Sequence, residues 1–214
     1  MNYHDKYKNR LDVSGTSFEE NYTRHTKDLV NRSFKDSPSY IVVRLDGLNV
    51  DARVTSRKKR AEKEVSFLPD TNFNIGSLVN YKNEDYLVVD KFDSEIFPKA
   101  NLKLCNTSLS LTIEPTQVDT GEVDWRGEPI YEETPGETIV IPCIVESKIY
   151  YNQSTEAINL PDGHLSITIP FTEHKDIRIN GEITVYDENY KIVEVDRTQS
   201  LSKTGILVIS AKRD

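Results

Sequence analysis

The sequence has few of the features that mark secreted scaffolds and membrane proteins. It holds 2 cysteines in 214 residues, and no apolar run approaches the roughly 18 residues of a membrane-spanning helix. The first ten residues are polar, which predicts no secretory signal. Cys105 and Cys143 lie far apart and outside any Cys-x-x-Cys pattern. We therefore expect two buried thiols without a disulfide or metal role.

Motifs that carry catalytic chemistry are also scarce. The histidines His4, His25, His164 and His174 are scattered without the spacing of metal ligands. The sequence has no Gly-rich phosphate loop, no Gly-x-Ser-x-Gly motif and no His-Glu-x-x-His motif. These absences predict a protein that is not an enzyme, with no catalytic residue, no cofactor and no metal site.

Basic side chains are also fewer than acidic ones. The chain has 27 basic and 35 acidic side chains, a net charge of −8. Binding to nucleic acid without sequence preference needs a basic surface, so this balance argues against that function class. Only 36% of the residues are hydrophobic, which fits a protein with much exposed surface or with segments that become ordered against partners.

The first part of the chain, residues 1–37, has a helical pattern. Ser17-Phe18-Glu19-Glu20 has the Ser-x-x-Glu spacing of a capping box. The spacing of the apolar residues that follow predicts a helix over 18–34, ended by Ser37-Pro38. The apolar stripe of this helix is our candidate for docking on a partner protein, and it consists of Phe18, Tyr22, Leu29 and Val30.

From Tyr40 onward the period of the apolar residues changes from 3.6 to 2. Tyr40–Leu45 is rich in β-branched residues, and Asp46-Gly47 is typical of a tight turn into a second strand, Leu48–Val54. This segment predicts a β-hairpin.

An internal repeat indicates how the β part is organised. The segment 76–90, with a glycine, an alternating strand ending in tyrosine, a polar turn and a second strand, recurs in outline 105 positions later over 181–196. Such a hairpin is the central unit of small SH3-like barrels. The chain is therefore predicted to be mainly β, with two SH3-like β-barrel modules over 38–114 and 138–214.

A long acidic segment, 115–137, separates the two predicted modules. It is rich in turn signals, and connections of this length inside compact domains usually carry function or are disordered. Val123–Trp125 and Ile130–Tyr131, on either side of Arg126-Gly127, are compatible with an exposed hairpin. The candidate functional residues of this segment are Asp119, Glu122, Asp124, Trp125, Glu132 and Glu133.

Several short motifs, taken in order, resemble one protein family. They are the hairpin strand Gly76–Tyr81, the strand Lys103–Asn106, the turn Leu160–Gly163, the strand Tyr190–Val193, the segment Val195–Thr198 and the closing strand Gly205–Leu207. With the charged N-terminal helix, they make the chain similar to head–tail connector proteins, of the head-completion or stopper type, from tailed phages of Gram-positive bacteria. The resemblance runs over nearly the whole chain.

This resemblance implies a structural virion protein in the neck, assembled in the host cytoplasm. It would form a six- or twelve-fold ring at the head–tail junction, with the portal or adaptor above and a tail protein below. Double-stranded DNA would pass through without specific binding, and no membrane is involved. In such a ring we expect the 115–137 segments to project into the lumen and repel DNA, and the N-terminal helix to dock on the portal or adaptor.

Two alternatives stay open at this point. One is another virion part, a tail terminator or distal-tail adaptor. The other is a soluble SH3-like binding module.

Overall fold

The architecture comes from a computed structural model of the chain. It describes residues 18–57, 59–92, 97–113, 116–123, 125–127, 129–134, 136–150, 157–160 and 163–213. The chain divides into two compact units, Met1–Leu104 and Cys105–Asp214. One helix and seventeen strands lie in the described part of the chain, and each unit contains a six-stranded barrel. The predicted fold class, mainly β with two small barrels and an N-terminal helix, is confirmed.

Helix α1 of the first unit spans Phe18–Phe34, the predicted range. Its last residue, Phe34, is fully buried and lies edge-to-face against Tyr40, with ring centroids 6.4 Å apart. The guanidinium of Arg53 stacks 4.4 Å from the Phe34 ring and donates to the carbonyl oxygens of Ser33, at 2.7 Å, and Phe34, at 3.1 Å. A cation on the free carbonyls of a helix C-terminus stabilises that end. Strand β2 thus fixes the helix terminus.

The first barrel is built from six antiparallel strands. They are β1 Tyr40–Leu45, β2 Leu48–Ser56, β3 Glu62–Phe67, β4 Leu78–Tyr81, β5 Glu84–Phe92 and β6 Lys99–Leu104. They close in the order β1-β2-β3-β6-β5-β4. The interior is apolar: Val43, Leu45, Ala52, Val65, Phe67, Phe73, Val79, Tyr86, Val88, Ala100 and Leu102.

The predicted hairpin at Asp46-Gly47 is present. Leu45 pairs with Leu48, so the turn has two residues, and both have positive φ (48° and 85°). A turn of this kind matches the twist of the two strands it joins, and aspartate and glycine tolerate its conformation. The Asp46 carboxylate also accepts a 2.8 Å hydrogen bond from the amide of Leu78, which ties the turn to β4.

The described residues of the second unit form eleven strands. Six of them form its barrel: β7 Thr107–Ile113, β10 Glu137–Glu146, β13 His164–Pro170, β14 Glu182–Val185, β15 Glu188–Asp196 and β17 Thr204–Arg213. The others are β8 Thr116–Val123, β9 Pro129–Thr134, β11 Lys148–Tyr150, β12 Ala157–Asn159 and β16 Ser200–Leu201. The sheet β13-β10-β7-β14-β15-β17 closes because β17 also pairs with β13.

The two barrels have the same topology. Strands β7, β10, β13, β14, β15 and β17 pair with one another as β1 to β6 do. The core of the second barrel is again apolar: Leu109, Leu111, Ile141, Cys143, Val145, Ile167, Ile169, Ile177, Ile183, Val185, Tyr190, Ile192, Leu207, Ile209 and Ala211. The second barrel differs by its insertions, since β8–β9 stands where the first barrel has the two-residue Asp46-Gly47 turn.

The repeat seen in the sequence is structural, but its offset is 104 and not 105. Tyr86 and Tyr190 occupy equivalent sites, and each hydroxyl donates to the glutamate two residues earlier, Glu84 at 2.9 Å and Glu188 at 3.0 Å. The turns Lys82-Asn83 and Tyr186-Asp187 both have two residues with positive φ. Aligning the two repeats on their glycines therefore places them one residue out of register.

The boundary between the units lies earlier than the predicted end of the first module at residue 114. Strand β7 pairs with β10 and β14 of the second barrel. Asn106, which precedes it, binds Val145 through both side-chain atoms: the amide group donates to the carbonyl oxygen and the amide oxygen accepts from the backbone N–H, each at 2.8 Å. The second module therefore begins at Cys105. Its first strand is separated from its hairpin partner by the inserted β8–β9, which hid the pairing in the sequence.

Candidate functional site

The candidate segment 115–137 contains a two-stranded antiparallel ribbon, β8–β9, rather than an irregular loop. We call residues 116–134 the acidic ribbon. Ile113 pairs with Glu137 and Thr116 with Thr134, so the register of the β7–β10 pair continues into the ribbon. The ribbon is therefore an extension of one hairpin of the second barrel, and it does not link the two units.

The acidic ribbon carries most of the candidate residues on its strands. Asp119 and Glu122 belong to β8, and Glu132 and Glu133 belong to β9. Asp124 lies outside the described residues. The ribbon has six acidic residues against one basic residue, Arg126, which gives a net charge of −5.

A turn over 125–127 forms the tip of the ribbon. Trp125 stands at this tip with 85% of its surface exposed, and the Arg126 guanidinium lies 4.4 Å from its ring. Tyr131 on β9 is 54% exposed. The pairing shifts between Asp119 and Val123, where Gly121 has a positive φ of 74°. Such bulges increase the local twist of a ribbon.

The docking candidates on α1 fall into two groups. Tyr22 and Leu29 are 66% and 52% exposed, so they form a surface that a partner can reach. Val30 is only 8% exposed and is thus part of the packed side of the helix, which corrects its inclusion in the docking stripe. The side chain of Phe18 lies outside the described residues.

A groove on the outer wall of the second barrel emerges only from the fold. It has a volume of about 490 Å³ and is lined by Ile179, Asn180, Lys191, Ile192, Val193, Lys212 and Arg213. We call it the lysine groove. Lys191 and Lys212 are direct cross-strand partners on β15 and β17. Val193 sits at the bulge of β15, where the register shifts, and is 49% exposed, while Ile179 is 63% exposed.

The charges of the lysine groove are unevenly satisfied. Arg213 is bound by Glu188 in a close ion pair of 2.6 Å. Within the described residues, Lys191 and Lys212 have no ion-pair partner, although Glu182 is the other cross-strand neighbour of Lys191. Like charges placed directly opposite each other on neighbouring strands destabilise a sheet. Among the residues that the structure describes, the pair is therefore a positive site without an ion-pair partner, in a unit that has 19 acidic and 9 basic residues.

Sequence reasoning missed this groove because it depends on pairing between strands distant in the chain. One signal was available in the repeat. At the offset of 104, Lys191 is equivalent to Leu87, which is fully buried. A lysine in place of a buried leucine indicates that this face is open to solvent in the second barrel, whereas the equivalent face of the first barrel is covered.

Burial raises the pKa of two side chains in the barrel cores. Burial raises the pKa of the Cys143 thiol to about 12, and the prediction of a buried thiol is right for this residue. Cys105 is half-buried, and neither cysteine forms a disulfide bond. Burial, with the hydrogen bond to Glu84, raises the pKa of Tyr86 to about 12. In the described part of the chain, no group of three or more histidine, cysteine or acidic residues is placed to hold a metal ion.

Helix α1 is neither long nor apolar enough to cross a membrane, and the described residues contain no other helix.

Comparisons with solved structures give little. Two structures of MrkH, one of them from K. pneumonia, match with 8% and 7% identity over 90% of this chain and 84% and 83% of theirs. Their TM-score is 0.23, which is too low to carry an argument about this chain.

Comparisons of sequence are more informative. The SPbeta prophage-derived uncharacterized protein YomX of Bacillus subtilis (strain 168) is 31% identical over 175 residues, covering 80% of this chain and 81% of its own. The model of the YomX C-terminal domain matches residues 102–212, a range that begins in β6 and covers the second barrel as far as Lys212, including the ribbon. The chain therefore belongs to the YomX C-terminal domain family, and it is homologous to a prophage-derived protein.

Proposed function

We propose that this chain is a structural virion protein that assembles into a ring at the head–tail junction of a tailed phage. The observation that carries the proposal is a duplicated closed barrel with an acidic ribbon extending from one hairpin, in a chain homologous to a prophage-derived protein. Closed barrels leave few free strand edges, so such a protein needs dedicated projecting elements to bind its neighbours. The acidic ribbon and the exposed side of α1 are two such elements.

The charge distribution supports a ring through which DNA passes without being held. Residues 105–214 have a net charge of −10, whereas residues 1–104 have 18 basic and 16 acidic residues and a net charge of +2. A surface with this excess of negative charge repels the phosphate backbone at short range. Placement of the 115–137 segments in the lumen is a prediction from the sequence.

Contact with the portal or adaptor is assigned to helix α1. Its exposed side presents Tyr22 and Leu29, and aromatic and aliphatic side chains of this kind supply the buried centre of protein interfaces. The partner on the tail side is proposed by the resemblance alone.

The test is to locate the chain in the particle. Particles of the phage that encodes it are purified, labelled with gold-conjugated antibody against the chain, and then imaged by cryo-electron microscopy. Label at the neck and a ring of density below the portal are expected. Label at the tail tip would favour a distal-tail adaptor. Label at the head-proximal end of the tail tube would favour a tail terminator. A chain absent from the particles but present in the lysate would refute a virion role and favour the soluble binding module.

A further inference from the structure

We propose that the lysine groove of one copy binds the acidic ribbon of a second copy of this chain. This inference rests on the proposed function only in that a ring supplies the second copy. It names the two surfaces that meet, which the family match and the prophage relative leave open. The groove and the ribbon are both parts of the second unit, so one type of contact repeats around the assembly.

The groove is suited to an acidic partner. Three of the nine basic residues of the second unit line it, and its two lysines face each other across neighbouring strands without an ion pair among the described residues. A partner that brings carboxylates between Lys191 and Lys212 relieves their repulsion, whereas solvent only screens it. DNA is a poor occupant because the surrounding unit has a net charge of −10.

The groove is also suited to an aromatic side chain. Ile179 and Val193 are large apolar residues that stay 63% and 49% exposed at its wall. An apolar surface bordered by charges is typical of a protein interface, where an aromatic anchor is buried and the charges form the rim. A small anion such as free phosphate makes no use of these two residues.

The acidic ribbon has the complementary properties. It has a net charge of −5, and its tip holds Trp125, 85% exposed. Tryptophan is enriched among the residues that dominate interface energies, since it fills a pocket with a large rigid surface. The pairing of Trp125 with Ile179 and Val193, and of the ribbon carboxylates with the two lysines, satisfies both surfaces at once.

The ribbon also needs a partner for its own stability. A two-stranded hairpin is marginal in water unless something covers it, and among the described residues β8 and β9 pair only with each other. Its tip lies twelve residues beyond Ile113, a reach of up to about 40 Å at the usual rise per strand residue. That reach exceeds the radius of a small barrel, so the tip can contact a neighbouring copy.

Such a contact joins two different surfaces. Ribbon on one copy and groove on the next make a heterologous interface, which generates a closed ring when the rotation between copies closes and a filament when it does not. Each copy therefore uses its groove to bind one neighbour and its ribbon to bind the other, and the same contact repeats around the assembly.

The experiment uses the full chain and a carbodiimide, which joins a carboxylate to an amine only when the two are in contact. Equal amounts of unlabelled and ¹⁵N-labelled chain are mixed, cross-linked and digested, and the linked peptides are identified by mass spectrometry. We expect links between the ribbon acids and Lys191 or Lys212 in which one peptide is labelled and the other is not. Links confined to a single isotope, or no links at these lysines, would overturn the proposal.

Variants test the same contact by sedimentation velocity. Lys191→Glu with Lys212→Glu is expected to weaken self-association about tenfold or more, and adding Glu132→Lys with Glu133→Lys is expected to restore it. Trp125→Ala should weaken it by about 30-fold. The matched control, Lys175→Glu with Lys203→Glu, makes the same change of net charge at exposed lysines outside the groove and should leave association unchanged.

The outcomes separate this inference from the proposed function. If the groove variant forms rings as well as the unchanged chain does, the groove is not the interface between copies. The proposed ring is retained in that case. A ribbon found in the lumen of the neck ring, away from the adjacent barrel, overturns the docking and retains the virion role. A chain that occurs in no particle, yet gives mixed-isotope links, retains the docking and removes the virion role.

Discussion

Substitution of Phe34 by alanine should free helix α1 from the first barrel without unfolding the barrel. The Phe34 ring is fully buried, yet it is not a member of the apolar cluster inside the barrel. It instead joins the helix to Tyr40 and Arg53 on the barrel wall. The substitution thus removes the ring contacts that join α1 to the barrel wall and leaves the barrel interior intact.

The magnitude follows from the contacts that are lost. Replacing a buried phenylalanine by alanine costs about 4 kcal/mol, and this includes the edge-to-face contact with Tyr40 and the stacking of Arg53. An isolated helix of 17 residues is marginal in water, so α1 has little stability of its own to compensate. A loss of this size raises the equilibrium constant for detachment about a thousandfold.

Hydrogen exchange measures this directly. In Phe34→Ala, the amides of α1 should exchange at rates close to those of an unstructured peptide, while the amides of Val65 and Leu102 in the barrel core keep their protection. Leu29→Ala is the matched control, because Leu29 lies on the same helix but is half exposed, and its effect should stay within about 0.5 kcal/mol. Equal acceleration of helix and barrel amides would refute the separate anchoring, as would unchanged exchange in α1.

Three further predictions concern the barrels. Replacing 114–136 by Asp-Gly, the turn of the equivalent hairpin, should leave the second barrel folded by near-ultraviolet circular dichroism; loss of its tertiary signal would contradict the shared topology. Gly205→Ala should destabilise the chain by about 3 kcal/mol in urea unfolding, because the added methyl group overlaps the carbonyl oxygen of Gln199. Gly205 also has a φ of +118°, which strains any residue with a side chain. The raised pKa of Tyr86, about 12, means that the folded state keeps this proton when the unfolded state loses it above about pH 10. Stability should therefore be full below that pH and fall toward the folded pKa, and the stability of Tyr86→Phe should fall less between about pH 10 and about pH 12; an identical fall in both proteins would contradict this.

The features readable from the sequence are those set by local chemistry. The helix ended at Phe34 as predicted because Ser37-Pro38 follows it, and the Asp46-Gly47 hairpin appeared because aspartate and glycine suit its two positive φ values. The repeat was visible because both copies have a tyrosine two residues after a glutamate in the same hairpin.

What the sequence hid depends on pairing over distance. Strand β7 was placed in the first module because its partner β10 lies beyond the whole ribbon. The hairpin around Arg126-Gly127 was expected, but the sequence did not indicate that its strands continue the β7–β10 pair. The lysine groove needs the register between β15 and β17 before Lys191 and Lys212 meet.

The insertion of the acidic ribbon into a hairpin has a consequence for the order of folding. In the first barrel, β1 and β2 meet across two residues, whereas β7 and β10 meet only after the 23 residues 114–136 have been closed into a loop. The difference in closure entropy is about 2 kcal/mol. The first barrel should therefore form its β1–β2 hairpin before the second barrel forms the β7–β10 pair. The first barrel is also synthesised first. Pulse-labelled hydrogen exchange during refolding would contradict this if β7 and β10 gained protection before β1 and β2.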